Sequence, residues 1–409
     1  MRFKKVLGTL SAVALSAGLL AVYPVQRVQA ATPTASGTEA NPAHATIDKH
    51  LSMPEGTTTP VGTATFKFTS VSVDGAAATS TNMPTIPDRS VTFATSDTGT
   101  VTGGVKTVHK ESANIVDSVT FPHAGEYIYT VKEDNAGFTL TNDTFHSEIM
   151  EYSTKVYQVQ VIVANNAAGT GTYVQSISVN DYTGGTLGAK MNDNDDGEGT
   201  SFEFDNKFMR TTKNDPNDPD NDTQGKNLRI KKVVAGAGGN YQQYFDFSVT
   251  VTAPAGLPAS APTSYKAVIS DNGAAVDPTS NGITGAGADH TFTITPGTAL
   301  NFKLKHNQQL VLLDAPVGAK YVASETAASS YTAKYVQTVN GVAGSETTGN
   351  SVTSTALGEG LNSWKVTNTK ADITPTGIVL SNLPYIMIGV IAVAGFAFLM
   401  NRKHNRTEA

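Results

Sequence analysis

Short runs of alternating apolar and polar residues recur along most of the chain. Residues 65–69 (TFKFT) and 157–161 (YQVQV) alternate with the period of two that places one face of a strand in a core. Gly, Pro, Asn and Asp separate these runs, and long apolar stretches occur only near the two ends of the chain. The pattern therefore predicts an all-β fold built from β-sandwiches.

The strand-like runs fall into two comparable halves. We predict a flexible lead-in at residues 31–43, which is rich in Pro, Ser and Thr, and a first β-sandwich domain at residues 44–209. A linker is predicted at residues 210–226, because its Pro, Asn and Asp residues are poorly suited to a core strand. A second β-sandwich domain is predicted at residues 227–370, and a separate C-terminal region at residues 371–409.

The two ends of the chain carry apolar runs that are typical of export and membrane retention. Residues 1–30 combine a basic start, an apolar run and a final Val-Gln-Ala, which predicts a secretory signal peptide cleaved after Ala30. Near the other end, the apolar run at residues 378–400 is long enough to cross a bilayer as one transmembrane helix. A basic tail at residues 401–409 would hold that end in the cytoplasm. An ordinary single-span membrane protein would share these two C-terminal features.

Composition narrows the possible function classes. The 409 residues carry a formal net charge of −6, which gives no sign of the basic face that a nucleic acid requires. The chain has no cysteine, so it cannot use disulfides, the usual staples of small exported domains. It contains no HExxH, G-x-S-x-G or P-loop motif, and we predict neither an enzyme acting on an external substrate nor a cofactor.

The most informative residues are polar ones that strand alternation places on apolar faces. Each half contains a Lys on its first strand, a Glu on a strand that follows a Gly turn, and an Asn on its last strand. These residues are Lys49, Glu133 and Asn206 in the first half, and Lys232, Glu325 and Asn368 in the second. One such residue is usually a strand-end charge that reaches solvent. The same triple on matching strands of both halves is not explained in that way.

A buried Lys, Glu and Asn are the groups that an intramolecular Lys–Asn isopeptide bond requires. Desolvation lowers the pKa of a lysine, which allows the lysine to attack as the neutral amine. A buried Glu with a raised pKa can hydrogen-bond to the Asn carboxamide, polarise its carbonyl carbon and transfer protons as ammonia leaves. Each domain would carry out this reaction once, on itself, so the chain would not be an enzyme with turnover.

The segments that carry these residues resemble the domains of streptococcal-type backbone pilins, which sortases assemble on Gram-positive cells. TIDKHL, GEYIYTVKE and FEFDNKF are similar to the N-terminal domain of that family, and LRIKKVVAGAGG, PVGAKYVASE and WKVTNTK are similar to its C-terminal domain. The resemblance implies two tandem immunoglobulin-like sandwiches of the collagen-adhesin B type.

The same resemblance implies which residues are joined. Lys49 would bond to Asn206 with Glu133 as the assisting acid and base. In the second domain Lys232 would bond to Asn368, with Glu325 in the assisting role. Each bond would tie the first strand of its domain to the last, so that tension along the shaft loads a covalent link.

The C-terminal region resembles the sorting signal of Gram-positive cell-wall proteins. Its motif consists of Ile373, Thr374, Pro375, Thr376 and Gly377. The resemblance implies that a sortase cuts between Thr376 and Gly377 and joins the threonine carbonyl to an amine. The commonest form of this motif begins with Leu-Pro, whereas the x-x-Pro-Thr-Gly variant found here resembles that of certain backbone pilins.

Polymerisation requires a lysine amine as the acceptor. In the family this lysine precedes the last strand of the N-terminal domain, and the Gly-Ala-Lys sequence that ends at Lys190 resembles the matching Gly-Ser-Lys. An insertion, MNDNDDGEGT, separates Lys190 from the final strand, so Lys155 and Lys207 remain alternatives. From Asn192 to Glu203 the spacing also partly matches an EF-hand calcium loop, but without flanking helices. A polar loop that holds no metal is the favoured interpretation.

These features predict a structural major pilin subunit at the cell surface. A pilus sortase would join Thr376 to a subunit lysine, and a housekeeping sortase would finally attach the polymer to peptidoglycan. The expected partners are other copies of the chain, the sortases, peptidoglycan, accessory pilins and host surface ligands, with no nucleic acid. The alternative is a monomeric wall-anchored adhesin with the same stapled domains, which would have no polymerising lysine.

Overall fold

The structure is a computed structural model that describes residues 34–191, 202–221, 223–353, 356–371 and 376–404. Side chains are described for all of these residues except 376–384 and 401–404. Nearly all regular structure within these ranges is β, which confirms the all-β prediction.

The N-terminal strands extend from Ala35 to Thr212. They are β1 (Ala35–Ser36), β2 (Asp48–Pro54), β3 (Gly62–Val73), β4 (Ala76–Ala77), β5 (Arg89–Phe93), β6 (Thr100–Thr102), β7 (Val105–Glu111), β8 (Gly125–Glu133), β9 (His146–Glu151), β10 (Val156–Asn165), β11 (Thr172–Asp181), β12 (Lys190–Met191) and β13 (Glu203–Thr212). The long strands among them are rich in Val, Ile, Thr, Tyr and Phe, which pack well on a pleated surface.

These strands form two sheets that share one core. The larger sheet has the order β1-β11-β10-β8-β3-β4, with β12 paired to β11 and β5 paired to β3. The smaller sheet has the order β6-β7-β2-β13-β9. The core between the two sheets fully buries Leu51 of the smaller sheet and Phe66 and Tyr129 of the larger sheet. This arrangement is a sandwich whose first long strand and last strand, β2 and β13, are parallel neighbours.

The C-terminal strands extend from Leu228 to Thr369. They are β14 (Leu228–Ala235), β15 (Phe245–Thr252), β16 (Tyr265–Asp271), β17 (Ala274–Val276), β18 (Phe292–Ile294), β19 (Ala299–Leu304), β20 (Gln308–Leu312), β21 (Lys320–Glu325), β22 (Thr332–Val339), β23 (Val342–Ala343), β24 (Thr347–Thr348), β25 (Ser351–Thr353) and β26 (Asn362–Thr369). A short 3-10 helix, Pro278–Asn281, lies between β17 and β18.

The second set of strands repeats the same organisation. One sheet has the order β17-β16-β20-β14-β26-β22-β23, with β18 paired to β16 and β24 paired to β22, and the other has the order β19-β15-β21-β25. Trp364 and Phe247, from opposite sheets, pack edge to face in the shared core. As in the first sandwich, the first and last strands, β14 and β26, are parallel neighbours.

The two sandwiches contact each other through hydrogen bonds and a partly buried ion cluster. Arg210, near the end of β13, donates to Glu148 in its own sandwich and to Glu359 of the second, at 2.6 and 2.7 Å. Glu359 also accepts from the backbone N–H of Thr58 at 2.7 Å. The Asn214 side chain donates to the carbonyl of Leu312 at 2.6 Å. The segment that joins the sandwiches therefore begins at residues that are hydrogen-bonded to the second sandwich.

Two segments are more regular than the sequence suggested. Residues 35 and 36 lie in the predicted lead-in, yet they form β1 against Ile177 and Ser176 of β11. Ladder hydrogen bonds use only the backbone, so a Ser- and Thr-rich composition does not prevent this pairing. Strand β13 continues to Thr212, inside the predicted linker at residues 210–226, because it pairs with β9 up to that residue.

The C-terminal helix, α1, extends from Thr376 to His404. In the part of the chain that the structure describes, no helix has both the length and the apolarity needed to cross a membrane. The signal peptide at residues 1–30 lies outside the described residues and, like the transmembrane segment at residues 378–400, it stays a prediction.

Candidate functional site

The core face of the first sandwich brings the predicted lysine and asparagine together. Lys49 on β2 is in register with Phe204 on the parallel strand β13, and Asn206 lies two residues further along. Residues two apart on a strand point to the same side. Lys49 and Asn206 therefore project from neighbouring positions into the same apolar layer, and both are fully buried.

The predicted glutamate reaches this pair from the opposite sheet. Glu133, the last residue of β8, is buried and pairs in register with Phe66. One carboxylate oxygen accepts from the Lys49 Nζ at 2.8 Å, and the other accepts from the Asn206 Nδ2 at 2.7 Å. The Lys49 amine also donates to the carbonyl of Phe204 at 2.9 Å. A single carboxylate thus bridges the amine and the amide.

The second sandwich contains the same arrangement. Lys232 on β14 is in register with Val366 on the parallel strand β26, again two residues before the asparagine, Asn368. Glu325, at the end of β21 in the facing sheet, accepts from the Lys232 Nζ at 2.7 Å and from the Asn368 Nδ2. Like Glu133, it pairs in register with a phenylalanine, Phe247. All three polar residues are buried.

Burial sets the electrostatics of both sites. Desolvation lowers the pKa of Lys49 and of Lys232 from 10.5 to about 8 in each case, although the neighbouring glutamates oppose the shift. The Lys232 ammonium also lies 4.1 Å from the ring centroid of Phe245. Desolvation raises the pKa of Glu325, against the opposing effect of Lys232. A lowered lysine pKa increases the population of the neutral, nucleophilic amine.

One feature of the geometry differs from the expectation for the glutamates. The sequence predicts a hydrogen bond from each carboxyl group to the asparagine carboxamide that polarises its carbonyl carbon. In both sites the carboxylate instead faces the amide nitrogen, which is the group that would leave as ammonia. The carboxylate is therefore placed to transfer protons between two nitrogens, the lysine Nζ and the asparagine Nδ2.

The lowered lysine pKa predicts a pH-dependent stability for a chain that cannot form the first bond. In Asn206→Ala, the folded chain holds Lys49 with a pKa of about 8, below 10.5 in the unfolded chain. The unfolded state then binds more protons between these values, so the free energy of unfolding should rise by about 3 kcal/mol from pH 8 to pH 10.5. Guanidinium denaturation at both pH values measures this rise. Lys49→Met in the same background should abolish it, and a rise of equal size in that control would contradict the assignment.

The three candidate acceptor lysines have different surroundings. Lys190 opens the edge strand β12 opposite Asn180, and partial burial lowers its pKa. The Lys155 ammonium lies 5.9 Å from the ring centroid of Tyr157. Lys207 is exposed on β13 and its Nζ lies 3.8 Å from a carboxylate oxygen of Glu151.

Other predicted positions fall wholly or partly outside the described residues. Ile373, Thr374 and Pro375 of the sorting motif are not described, and Thr376 and Gly377 begin α1. The calcium-loop match from Asn192 is also outside the description, except for its last residue, Glu203. The sorting motif stays a prediction, and so does the choice between a calcium loop and a polar loop without metal.

Two histidine–carboxylate groups, which the sequence pattern did not predict, lie on the outer face of the smaller N-terminal sheet. One consists of Asp48, His109 and Glu111, and the other of His50, Glu203 and Asp205; within each, the potential ligand atoms lie within 4.8 Å of one another. Each imidazole has a carboxylate oxygen at 3.3 Å, from Asp48 or Asp205. Cross-strand register brings these residues together, and alternation alone could not reveal it.

Two segments of the chain match known protein families. Residues 45–209 match the family described as Spy0128-like isopeptide containing domain, and residues 226–370 match a family described as a domain of unknown function. A curated pilin of Streptococcus pyogenes serotype M1 is 27% identical over 381 residues, covering 92% of this chain and 95% of the pilin. The chain is thus similar to streptococcal-type pilins, as the sequence predicts. This similarity supports a pilus subunit with an isopeptide domain.

Several solved structures also align with the chain. The major pilin from Streptococcus pyogenes has 22% identity and a TM-score of 0.32, and the alignment covers 81% of this chain and 100% of that one. The major pilin T3.2 from S. pyogenes serotype GAS13637 has 18% identity and a TM-score of 0.32, with coverage of 80% and 98%. A pilus-presented adhesin has 14% identity and a TM-score of 0.25, with coverage of 53% and 36%. At these TM-scores the superpositions add nothing to the site geometry.

Proposed function

We propose that the chain is a structural subunit of a pilus shaft in which each sandwich is stapled by an autocatalytic Lys–Asn isopeptide bond. The observation that carries this proposal is the repetition of one arrangement in two cores. In each, a glutamate of one sheet accepts hydrogen bonds from a lysine and an asparagine of neighbouring parallel strands in the facing sheet. Burying an ionisable group costs free energy. The same buried set of lysine, glutamate and asparagine in both sandwiches indicates that it serves the same chemistry in each.

The proposed bonds join Lys49 to Asn206 and Lys232 to Asn368. In each reaction the neutral lysine Nζ attacks the asparagine Cγ, a new C–N bond forms, and ammonia leaves. Glu133 or Glu325 takes a proton from the lysine nitrogen and returns one to the departing nitrogen. Holding the partners in contact contributes about 7–11 kcal/mol toward a barrier that is otherwise high. The reaction happens once per domain, with no external substrate.

The proposal also covers assembly. After export and removal of residues 1–30, a pilus sortase would cut between Thr376 and Gly377. The Thr376 carbonyl would then be joined to a lysine of the next subunit, and a housekeeping sortase would attach the finished polymer to peptidoglycan. The two stapled units are proposed as residues 44–209 and 227–370, separated by the linker at residues 210–226.

We infer that Lys190 is the acceptor of this joining reaction. Its position on an edge strand leaves it half-buried, and burial lowers its pKa, which favours the nucleophilic amine. Lys207 is exposed on β13, with its Nζ 3.8 Å from a carboxylate oxygen of Glu151. The Lys155 Nζ lies 5.9 Å from the ring centroid of Tyr157.

Immunoblots of cell-wall extracts test this function. In a Gram-positive host that carries the matching sortases, the chain should give a ladder of high-mass species. Lys190→Ala should reduce the ladder to a monomer-sized band, because no acceptor amine remains. Lys155→Ala and Lys207→Ala are matched controls and should keep the ladder. A single wall-bound monomer band from the unaltered chain would refute the shaft subunit and support the adhesin alternative.

A further inference from the structure

The two sites differ at the carbonyl oxygen of the asparagine. In the first sandwich the backbone N–H of Ser153, in the loop between β9 and β10, donates to the Asn206 Oδ1 at 2.8 Å. In the second, the Asn368 Oδ1 is buried and has no hydrogen-bond partner among the described residues. In both sites the glutamate accepts from the lysine and from the asparagine.

We propose that the backbone N–H of Ser153 is an oxyanion donor for formation of the Lys49–Asn206 bond. This inference rests on the proposed function and adds a catalytic group to it. When the Lys49 Nζ bonds to the Asn206 Cγ, the carbonyl electron pair moves to Oδ1, which becomes an anion. A hydrogen-bond donor already in place at 2.8 Å stabilises that charge without reorganisation, in a site from which water is excluded.

The hydrogen bonds around the amide assign separate roles to its two ends. Ser153 holds Oδ1, so Nδ2 must face the Glu133 carboxylate, which accepts from it at 2.7 Å. Glu133 then takes a proton from Nζ and returns one to Nδ2, the Cγ–Nδ2 bond breaks, and ammonia leaves. The carbonyl re-forms as Oδ1 releases its charge. Charge stabilisation and proton transfer are therefore provided by different groups.

The Lys49 amine is oriented by its own contacts. A neutral amine has two N–H groups and one lone pair, and two acceptors are in place, the Glu133 carboxylate at 2.8 Å and the Phe204 carbonyl at 2.9 Å. With both N–H groups engaged in hydrogen bonds, the lone pair of the Lys49 Nζ is available to attack the Asn206 Cγ. In the second site Lys232 has the carboxylate contact, but Asn368 has no described backbone donor at Oδ1. The two bonds should therefore form by reactions of different speed.

The test replaces the Ser153 N–H while keeping the side chain. Full-length chain is made by cell-free synthesis with serine or its α-hydroxy analogue at position 153, which substitutes an ester oxygen for the N–H. Samples are quenched in denaturant at intervals, digested, and assayed by mass spectrometry for the Lys49–Asn206 and Lys232–Asn368 branched peptides. The ester should slow the first bond by about 10²–10³-fold, with the same final yield. The second bond is an internal control and should form at its usual rate.

Two further variants complete the design. Ser153→Ala keeps the N–H and should form the first bond at the normal rate, whereas Ser153→Pro removes the N–H by an independent route and should be slow. An unchanged rate of the first bond in the ester or proline chain would overturn the proposal for Ser153 alone. If neither branched peptide appeared in the unaltered chain, the isopeptide function itself would fail.

Discussion

The mature folded chain is expected to have a mass lower than its sequence mass by two ammonia molecules, one for each isopeptide bond. Glu133→Gln should restore one of them, because glutamine fills the same space but cannot take a proton from Lys49. Glu325→Gln should restore the other, and the double variant should have the full sequence mass. Intact-mass spectrometry of the denatured chain measures all four forms.

The same variants should lose stability. The first proposed bond would close a loop of 157 residues (206 − 49) and the second a loop of 136 residues (368 − 232). By analogy with disulfides, closing a loop of this size stabilises the folded state by about 5 kcal/mol through the unfolded chain. For sandwiches of this size the melting temperature of the altered one should fall by about 10–20 °C. Differential scanning calorimetry should show one lowered transition in each single variant.

Glu126→Gln is the matched control for Glu133→Gln. Glu126 lies on the same strand, β8, but alternation places it on the opposite face, where it is only half-buried. Its replacement should leave both bonds, the mass and the melting temperature unaltered. A full-mass unaltered chain would refute the staples in both sandwiches. Loss of two ammonia molecules by Glu133→Gln would remove Glu133 from the reaction while leaving the bond itself in place.

Strand alternation predicted the burial of the site residues because it depends only on local period. Once residues 47–51 are a strand facing a core, Lys49 must lie on the face of Ile47 and Leu51, and the structure buries all three. The same reasoning applies to Asn206 between Phe204 and Phe208. What alternation cannot supply is register between distant strands. The two-residue offset between Lys49 and Asn206 follows from the parallel pairing of β2 and β13, which are about 150 residues apart.

The hydrogen bond from the Ser153 N–H to Asn206 could not be predicted from the sequence, for a similar reason. A backbone N–H has no sequence signature, and Ser153 lies in a loop 53 residues before Asn206. The orientation of the Asn206 amide depends on that contact, so the sequence alone could not predict which end of the amide faces the glutamate. The pairing of His50 with His109 across β2 and β7 also depends on register. The alternation of apolar and polar residues along each strand therefore predicted the residues of the candidate site. It did not predict the direction of their hydrogen bonds.

The chain connectivity determines which bond carries tension in a polymer joined at Lys190 and Thr376. From Lys190 the covalent path runs through residues 191–212 and leaves the first sandwich directly, so the Lys49–Asn206 bond lies off the path. Acceptors at Lys155 or Lys207 would give the same result. In the second sandwich the path enters at β14 and leaves at β26, and the proposed Lys232–Asn368 bond would join these two strands. The expectation that tension loads both bonds therefore holds only for the second.

Single-molecule pulling should reveal this difference. Because the chain has no cysteine, Lys190→Cys and Ala371→Cys provide unique attachment points in optical tweezers. In this geometry Glu325→Gln should release the 136-residue loop and add on the order of 450 Å of contour length, at about 3.3–3.6 Å per residue. Glu133→Gln should add nothing, although it removes a staple of the same kind.

Moving one attachment point should place the first staple on the path that carries tension. With Thr34→Cys in place of Lys190→Cys, the path passes through β2 before it reaches β13, so the Lys49–Asn206 bond carries tension. Glu133→Gln should then add on the order of 500 Å from the 157-residue loop. Lengthening of the Glu133→Gln chain in the Lys190 geometry would contradict this path. On this account the second staple resists tension in the shaft, while the first stabilises the sandwich that presents the acceptor lysine.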